Sequence, residues 1–152
     1  MSVEARLTEL GLKLPVLAKP AGAYVPAIVT GNLVYTAGQL PFVDGALEAT
    51  GKVGAAVSAE DAAKLARTCA LNALAAAESV IGSLDRVTRV VKVVGFVAAT
   101  PDFTGIPAVV NGASELLGEV FGEAGQHARS SVGVAVLPMD APVEVELILE
   151  FA

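Results

Sequence analysis

Apolar residues recur along this chain at a helical spacing in some stretches and at an alternating spacing in others, and the changes between the two periods divide it into elements. VEARLTELGL places Val3, Leu7 and Leu10 on one face before Gly11 and Pro15 interrupt it, which predicts a short N-terminal helix. Two β-rich runs follow, AYVPAIV and NLVYTAG, with TGN (Thr30 to Asn32) as a turn between them, which predicts a hairpin. VDGALEATGKVGAAV is rich in glycine and reads as a loop. Ser58 then stands as an N-cap, with Glu60 and Asp61 in the first turn, where acidic groups suit the helix dipole. From there an apolar stripe through Ala62, Leu65, Ala66, Cys69, Leu74, Ala77 and Ile81 runs up to Gly82, so the spacing predicts a helix from about Ala59 to Ile81.

VTRVVKVVGFVAA is dense in β-branched residues and apolar on both faces, the pattern of a central strand. Pro107 suits the first turn of a second long helix, from about Ala108 to Phe121, with Leu116, Leu117 and Val120 on its buried side. The tail supplies two more strands, split by LPMDAP. On the first, Arg129, Ser131 and Gly133 share one face, and Val132, Val134 and Val136 the other. On the second, Val143, Val145, Leu147 and Leu149 oppose Glu144, Glu146 and Ile148. A hairpin-like pairing around LPMDAP is expected to bring the arginine face and the glutamate face together at the end of the sheet. This order of elements predicts an α+β domain spanning residues 1–152, with helices on one face of a mixed sheet. If the uncovered face is as apolar as Val90 to Ala99 suggests, it is expected to meet another copy of the chain.

Composition sharpens that expectation. The 152 residues are 54% hydrophobic but rich in Ala, Val and Gly and only 5% aromatic, so each buried side chain removes little area from water, and assembly would add burial. Sixteen acidic against ten basic residues give a net charge of −6, and the basic ones form no stripe, which argues against binding nucleic acid by phosphate neutralisation. Cys69 is the one cysteine, so no intrachain disulfide or paired zinc motif is available, and a reducing cytoplasm is the expected setting. The acidic N-terminus does not read as a secretory signal, and Lys92 and Gly95 interrupt the most apolar run, so the protein is expected to be soluble. The usual catalytic signatures are missing, with no GxSxG, Walker loop, GxGxxG or HExxH. A Ser/His/Asp triad would have to use His127, the one histidine, without local support.

Arg129 is the more informative residue. An arginine opening a strand among small residues can grip a carboxylate with two parallel hydrogen bonds, and it can equally form a structural salt bridge. Glu144 and Glu146 have the same two readings, chemistry or a solvated strand face.

The tail HARSSVGVAVLPMDAPVEVELI resembles the C-terminal signature of the RidA family, also called YjgF or endoribonuclease L-PSP, and GNLVYTAGQLP is similar to that family's N-terminal signature. The two stretches lie far apart and in the family's order. The resemblance implies a chorismate-mutase-like fold, a homotrimer with pockets between subunits, and cofactor-free hydrolysis of reactive enamines and imines, such as 2-aminoacrylate, to 2-keto acids and ammonia. By the same resemblance the carboxylate-binding arginine falls on Arg129 and the water-orienting glutamate on Glu144. The N-terminal pocket tyrosine falls on Tyr24, and the backbone position that approaches substrate on Gly38. Once a gap is opened, Asn111 matches an asparagine of the second helix, and Ser131 holds a position often occupied by cysteine.

The chain also departs from the family. His127 replaces the proline before Ala-Arg, residues 1–20 form a longer N-terminal extension, and TPDFTGIPAVV enlarges the entry to the second helix, which together suggest a divergent subgroup. His127 is expected either to line the pocket entrance or to lie on the surface. Three functions stay open: an imine/enamine deaminase, a non-catalytic trimer binding or sensing a small carboxylate, and a ribonuclease or translation inhibitor, which the acidic composition disfavours.

Overall fold

Serine hydroxyls open the first two helices. Ser2 Oγ accepts the amide of Ala5 at the head of α1 (Val3–Glu9), and Ser58 Oγ accepts that of Asp61 at the head of α2 (Ala59–Ile81), each satisfying one of the donors that a helix start leaves without a partner. α3 (Ile106–Phe121) has no side-chain cap and relies on Pro107 in its first turn. It begins two residues before the sequence pattern indicates, because Ile106 is already buried. These elements belong to a computed structural model that describes residues 1–17, 20 and 22–152, so positions 18 and 19 of the extension predicted over 1–20 lie outside the described residues.

The strands are β1 (Ala27–Thr30), β2 (Leu33–Thr36), β3 (Phe42–Val43), β4 (Ala46–Leu47), β5 (Val87–Ala98), β6 (Ala128–Val134) and β7 (Val143–Phe151). β1 and β2 form the predicted hairpin. The segment read as a loop contains a second, two-stranded one, β3–β4, turned by Asp44 and Gly45 at φ of 51° and 81°. Two-residue strands are too short to show alternation, which is why the pattern missed them.

The main sheet has the order β1-β2-β7-β5-β6, with β5 and β6 parallel and the other pairs antiparallel. The mixed sheet agrees with the α+β expectation. The hairpin-like pairing around LPMDAP does not occur, because β5 stands between β6 and β7. The chain leaves β5 through α3 and returns as β6 parallel to it, as a long crossover permits, and β7 then takes the other side of β5. Arg129 pairs with Val93, which pairs with Leu147 on the helix-covered face, whereas Glu144 pairs with Phe96 on the opposite face. The arginine and the glutamate therefore lie on opposite sides of the sheet.

The core fills the space between the sheet and α2 and α3. Val90, Val93 and Val97 of β5 and the odd-numbered residues Val143 to Leu149 of β7 meet the alanine-rich flank of α2 and Val109, Val110, Leu116 and Leu117 of α3. Small residues let these layers approach: Gly112 lies against the carbonyl of Ala63, and Gly95 lies under the side chain of Val110. Irregularities in β5 between Val90 and Lys92 shift its alternation, so Lys92, Val94 and Phe96 all turn to the uncovered face beside Glu144, Glu146 and Ile148. That face is half-buried and mixed in character, with three charged groups among its apolar ones, in contrast to the apolar surface that Val90 to Ala99 suggested.

Candidate active site

β6 is an edge strand, and its helix-side residues carry most of the candidate chemistry. The Arg129 fork reaches across to α3: Nη1 donates to Asn111 Oδ1 at 2.7 Å and to Ser114 Oγ at 3.1 Å, and Nη2 donates to the Pro107 carbonyl at 3.3 Å. Asn111 and Ser114 sit three residues apart on one face of α3, so both can meet the same guanidinium. All three acceptors are neutral. Among the described residues no carboxylate lies within ion-pair distance of Arg129, so its charge is held in place but not compensated. The structural salt bridge open to a strand-end arginine is thus not formed here.

Ser131 lies two residues further along the same face and pairs with Gly95 under α3. Its Oγ is buried and has no hydrogen-bond partner among the described residues, a state that costs about 1–3 kcal/mol unless a ligand or water supplies one. His127 is half-buried at the entry to β6. Its Nδ1 is 2.6 Å from the Gly125 carbonyl and its Nε2 is 2.8 Å from Ser114 Oγ, so it is tied inward by both ring nitrogens.

A second group forms elsewhere. Gln39 exchanges backbone hydrogen bonds with Val145 at 2.9 and 3.1 Å, which brings the loop after β2 over the start of β7. Asn72, buried on α2, pins that loop by donating to the carbonyls of Leu40 and Phe42, both at 3.0 Å. Gly38 consequently lies so close to Glu144 that a Cβ there would stand 2.7 Å from its carboxyl carbon. Burial, with a smaller contribution from the like charge of Glu146, raises the Glu144 carboxyl above its ordinary range. Tyr24, just before β1, is exposed at the sheet edge opposite Arg129. Within one chain, then, Arg129, Asn111, Ser131 and His127 come together, as do Gly38 and Glu144, but the two groups do not meet each other, and Tyr24 meets neither.

This chain is similar to known proteins along almost its whole length. A family model described as "YjgF/chorismate_mutase-like, putative endoribonuclease" matches residues 4–151. The chain belongs to that family. Protein TCP17 of Trypanosoma cruzi is 45% identical over 149 residues, covering 97% of this chain and 93% of TCP17. The crystal structure of Atu1372 from Agrobacterium tumefaciens superposes with a TM-score of 0.92 at 45% identity, over 99% of this chain and 92% of that one. A "putative endoribonuclease" from Shewanella oneidensis MR-1 gives a TM-score of 0.96 at 32% identity, over 99% of this chain and 100% of that one.

As a YjgF-family protein it has the chorismate-mutase-like fold that its signature stretches implied. Sequence reading missed Ser114 and the carbonyls of Pro107 and Gly125. The i, i+3 placement of Asn111 and Ser114 on one face of the helix was a readable signal for the first. The carbonyls carry no side-chain signature. Among the described residues no three His, Cys, Asp or Glu side chains cluster as a metal site would require, and no helix is long and apolar enough to cross a membrane.

Proposed function

We propose that this protein is a cofactor-free deaminase that hydrolyses reactive 2-enamino and 2-imino acids, such as 2-aminoacrylate, to 2-keto acids and ammonia in the cytoplasm. The observation that carries this reading is the uncompensated Arg129, whose neutral partners fix its plane while leaving Nε and one Nη2 hydrogen for a ligand carboxylate. Glu144 supplies the complementary group. Burial makes its carboxyl a stronger base than an exposed carboxylate, suited in its ionised form to orient a water molecule and take its proton.

The chemistry balances without a cofactor. The enamine gains a proton at carbon to become the iminium, water adds to the iminium carbon as Glu144 accepts a proton, and the carbinolamine collapses to the keto acid as ammonia leaves. Arg129 holds the carboxylate throughout, and the neighbouring Ser131 hydroxyl gains a partner.

Arg129 lies on one edge strand and one face, with Tyr24 at the opposite edge and Glu144 on the opposite face. Such halves are joined by a second copy presenting its Glu144, Gly38 and Tyr24 to the first copy's Arg129. A head-to-tail contact of this kind closes into a ring, and three copies form the homotrimer proposed here. The half-buried, mixed face around Phe96 and Ile148 is the surface available for it.

A non-catalytic carboxylate-binding trimer is the second reading, since Arg129 suffices for binding without Glu144. A ribonuclease is less favoured, because a chain of net charge −6 has little to neutralise phosphates. The deciding experiment follows keto-acid release from 2-aminoacrylate generated in situ, with sedimentation of the same samples. The parent should accelerate release as a trimer, and Arg129→Ala and Glu144→Gln should each lose about 10²-fold or more. Keto-acid binding without any acceleration by the parent would select the second reading, and a monomer that turns over would refute the shared pocket.

A further inference from the structure

We propose that His127 and Ser114 are positioning residues for Arg129, forming a relay that turns the Nε/Nη2 edge of the guanidinium toward the ligand; this rests on the carboxylate-binding reading of Arg129.

The Gly125 carbonyl can only accept, so at 2.6 Å the His127 Nδ1 must carry a hydrogen and donate it. In the neutral ring Nε2 is then bare and accepts, which makes the Ser114 hydroxyl the donor across their 2.8 Å contact. With its hydrogen committed to the imidazole, Ser114 Oγ faces Arg129 with lone pairs alone and accepts from Nη1 at 3.1 Å. Asn111 Oδ1 takes the second Nη1 hydrogen at 2.7 Å. Nη1 is thereby fully used by the protein.

Two consequences follow for the ligand. A carboxylate cannot use Nη1, so its bidentate bond forms with Nε and Nη2, the edge left without a full set of protein partners. And the fork cannot rotate without breaking a chain anchored on backbone at its far end. A serine whose hydroxyl hydrogen was free to turn could point it at the guanidinium and repel it. His127 prevents that, and this gives a specific purpose to the residue that replaces the family's proline.

Arg89 and Glu123 line the open pocket beside His127, and neither is within hydrogen-bond distance of its ring nitrogens, which are both taken by Gly125 and Ser114.

The test is calorimetric binding of pyruvate to the full-length protein, comparing the parent with Ser114→Ala, His127→Phe, His127→Gln, Arg129→Ala, and Ser114→Ala combined with Arg129→Ala. Ser114→Ala and His127→Phe should each weaken pyruvate binding about tenfold, the scale of one hydrogen bond to a charged group. His127→Gln should recover most of that loss, because its amide carries a donor and an acceptor at a separation similar to the two ring nitrogens. In the Arg129→Ala background, Ser114→Ala should cost nothing more, since a residue that acts through Arg129 has nothing left to position. A merely structural serine would instead lower affinity by the same factor in both backgrounds, and that additivity overturns the relay. Parent affinity in both single variants overturns it as well. If Arg129→Ala alone leaves pyruvate binding unchanged, the carboxylate reading fails and the relay's purpose fails with it. That outcome is distinguishable, since it appears in the Arg129 variant and not only in its neighbours. Thermal melts of every variant separate lost folding from lost positioning.

Discussion

Replacing Gly38 with alanine tests the Glu144 role with a single methyl group. Gly38 does not have a positive φ, so alanine fits the backbone, and the substitution even restricts the unfolded chain, which by itself stabilises by about 0.4–1 kcal/mol. What the methyl meets is the Glu144 carboxyl, whose carbon and Oε2 would both stand 2.7 Å from it. Ordinary carbon–carbon contact begins at about 3.5 Å, so the carboxyl must retreat by about 0.8 Å. The far end of a glutamate can do so at little cost, and the melting temperature should stay within about 2 °C of the parent. Catalysis is less tolerant: displacement of a reacting group by about 1 Å can cost as much as 10²-fold, so turnover should fall roughly 10- to 100-fold. The assay is keto-acid release from in situ 2-aminoacrylate, run also in a Glu144→Gln background. Acting through Glu144, Gly38→Ala should add nothing there. Parent-like turnover, or a full independent loss in the Glu144→Gln background, would show that the position of that carboxyl does not set the rate.

Glu146 raises the pKa of Glu144 through its like charge, second to burial, so Glu146→Gln should lower it. Because the proposed role needs the carboxylate, turnover rises with pH through the folded pKa, and the acid limb of the pH–rate profile should move to lower pH in that variant; an unmoved limb would assign it to another group. For stability the sign is opposite: a carboxyl whose folded pKa exceeds its unfolded value loses stability as pH climbs from the ordinary carboxylate range through the raised one, so Glu144→Gln should melt higher than the parent at neutral pH. On α3, Gly112→Ala would drive its methyl into the Ala63 carbonyl and should destabilise by about 1–3 kcal/mol, whereas Gly118 has open space around it and Gly118→Ala should stabilise by about 0.5–1 kcal/mol. Melting curves that rank these two the other way would contradict the close approach of α2 and α3.

The longer local elements are legible in the sequence, because these depend on periodicity and capping within one segment. Ser58, the alanine-rich stripe and Gly82 bound α2 at the residues the structure shows, and the β-branched run from Val87 became the long β5. The two signature stretches, lying at distant positions in the chain, were enough to indicate the family and hence the fold. Alternation also grouped Arg129 with Ser131, and Glu144 with Glu146, correctly on their own strands. What alternation cannot encode is which strand lies next to which. Adjacency in sequence suggested that β6 and β7 pair, yet the crossover through α3 inserts β5 between them and sends the arginine and the glutamate to opposite faces. The polar partners of Arg129 were equally a tertiary decision. Asn111, Ser114, the Pro107 carbonyl and, through His127, the Gly125 carbonyl converge only because small residues let α3 settle closely over β5 and β6. Hydrogen bonds between groups far apart in sequence leave no periodic trace, so the chain's one histidine read as an isolated residue until folding supplied a partner for each of its nitrogens.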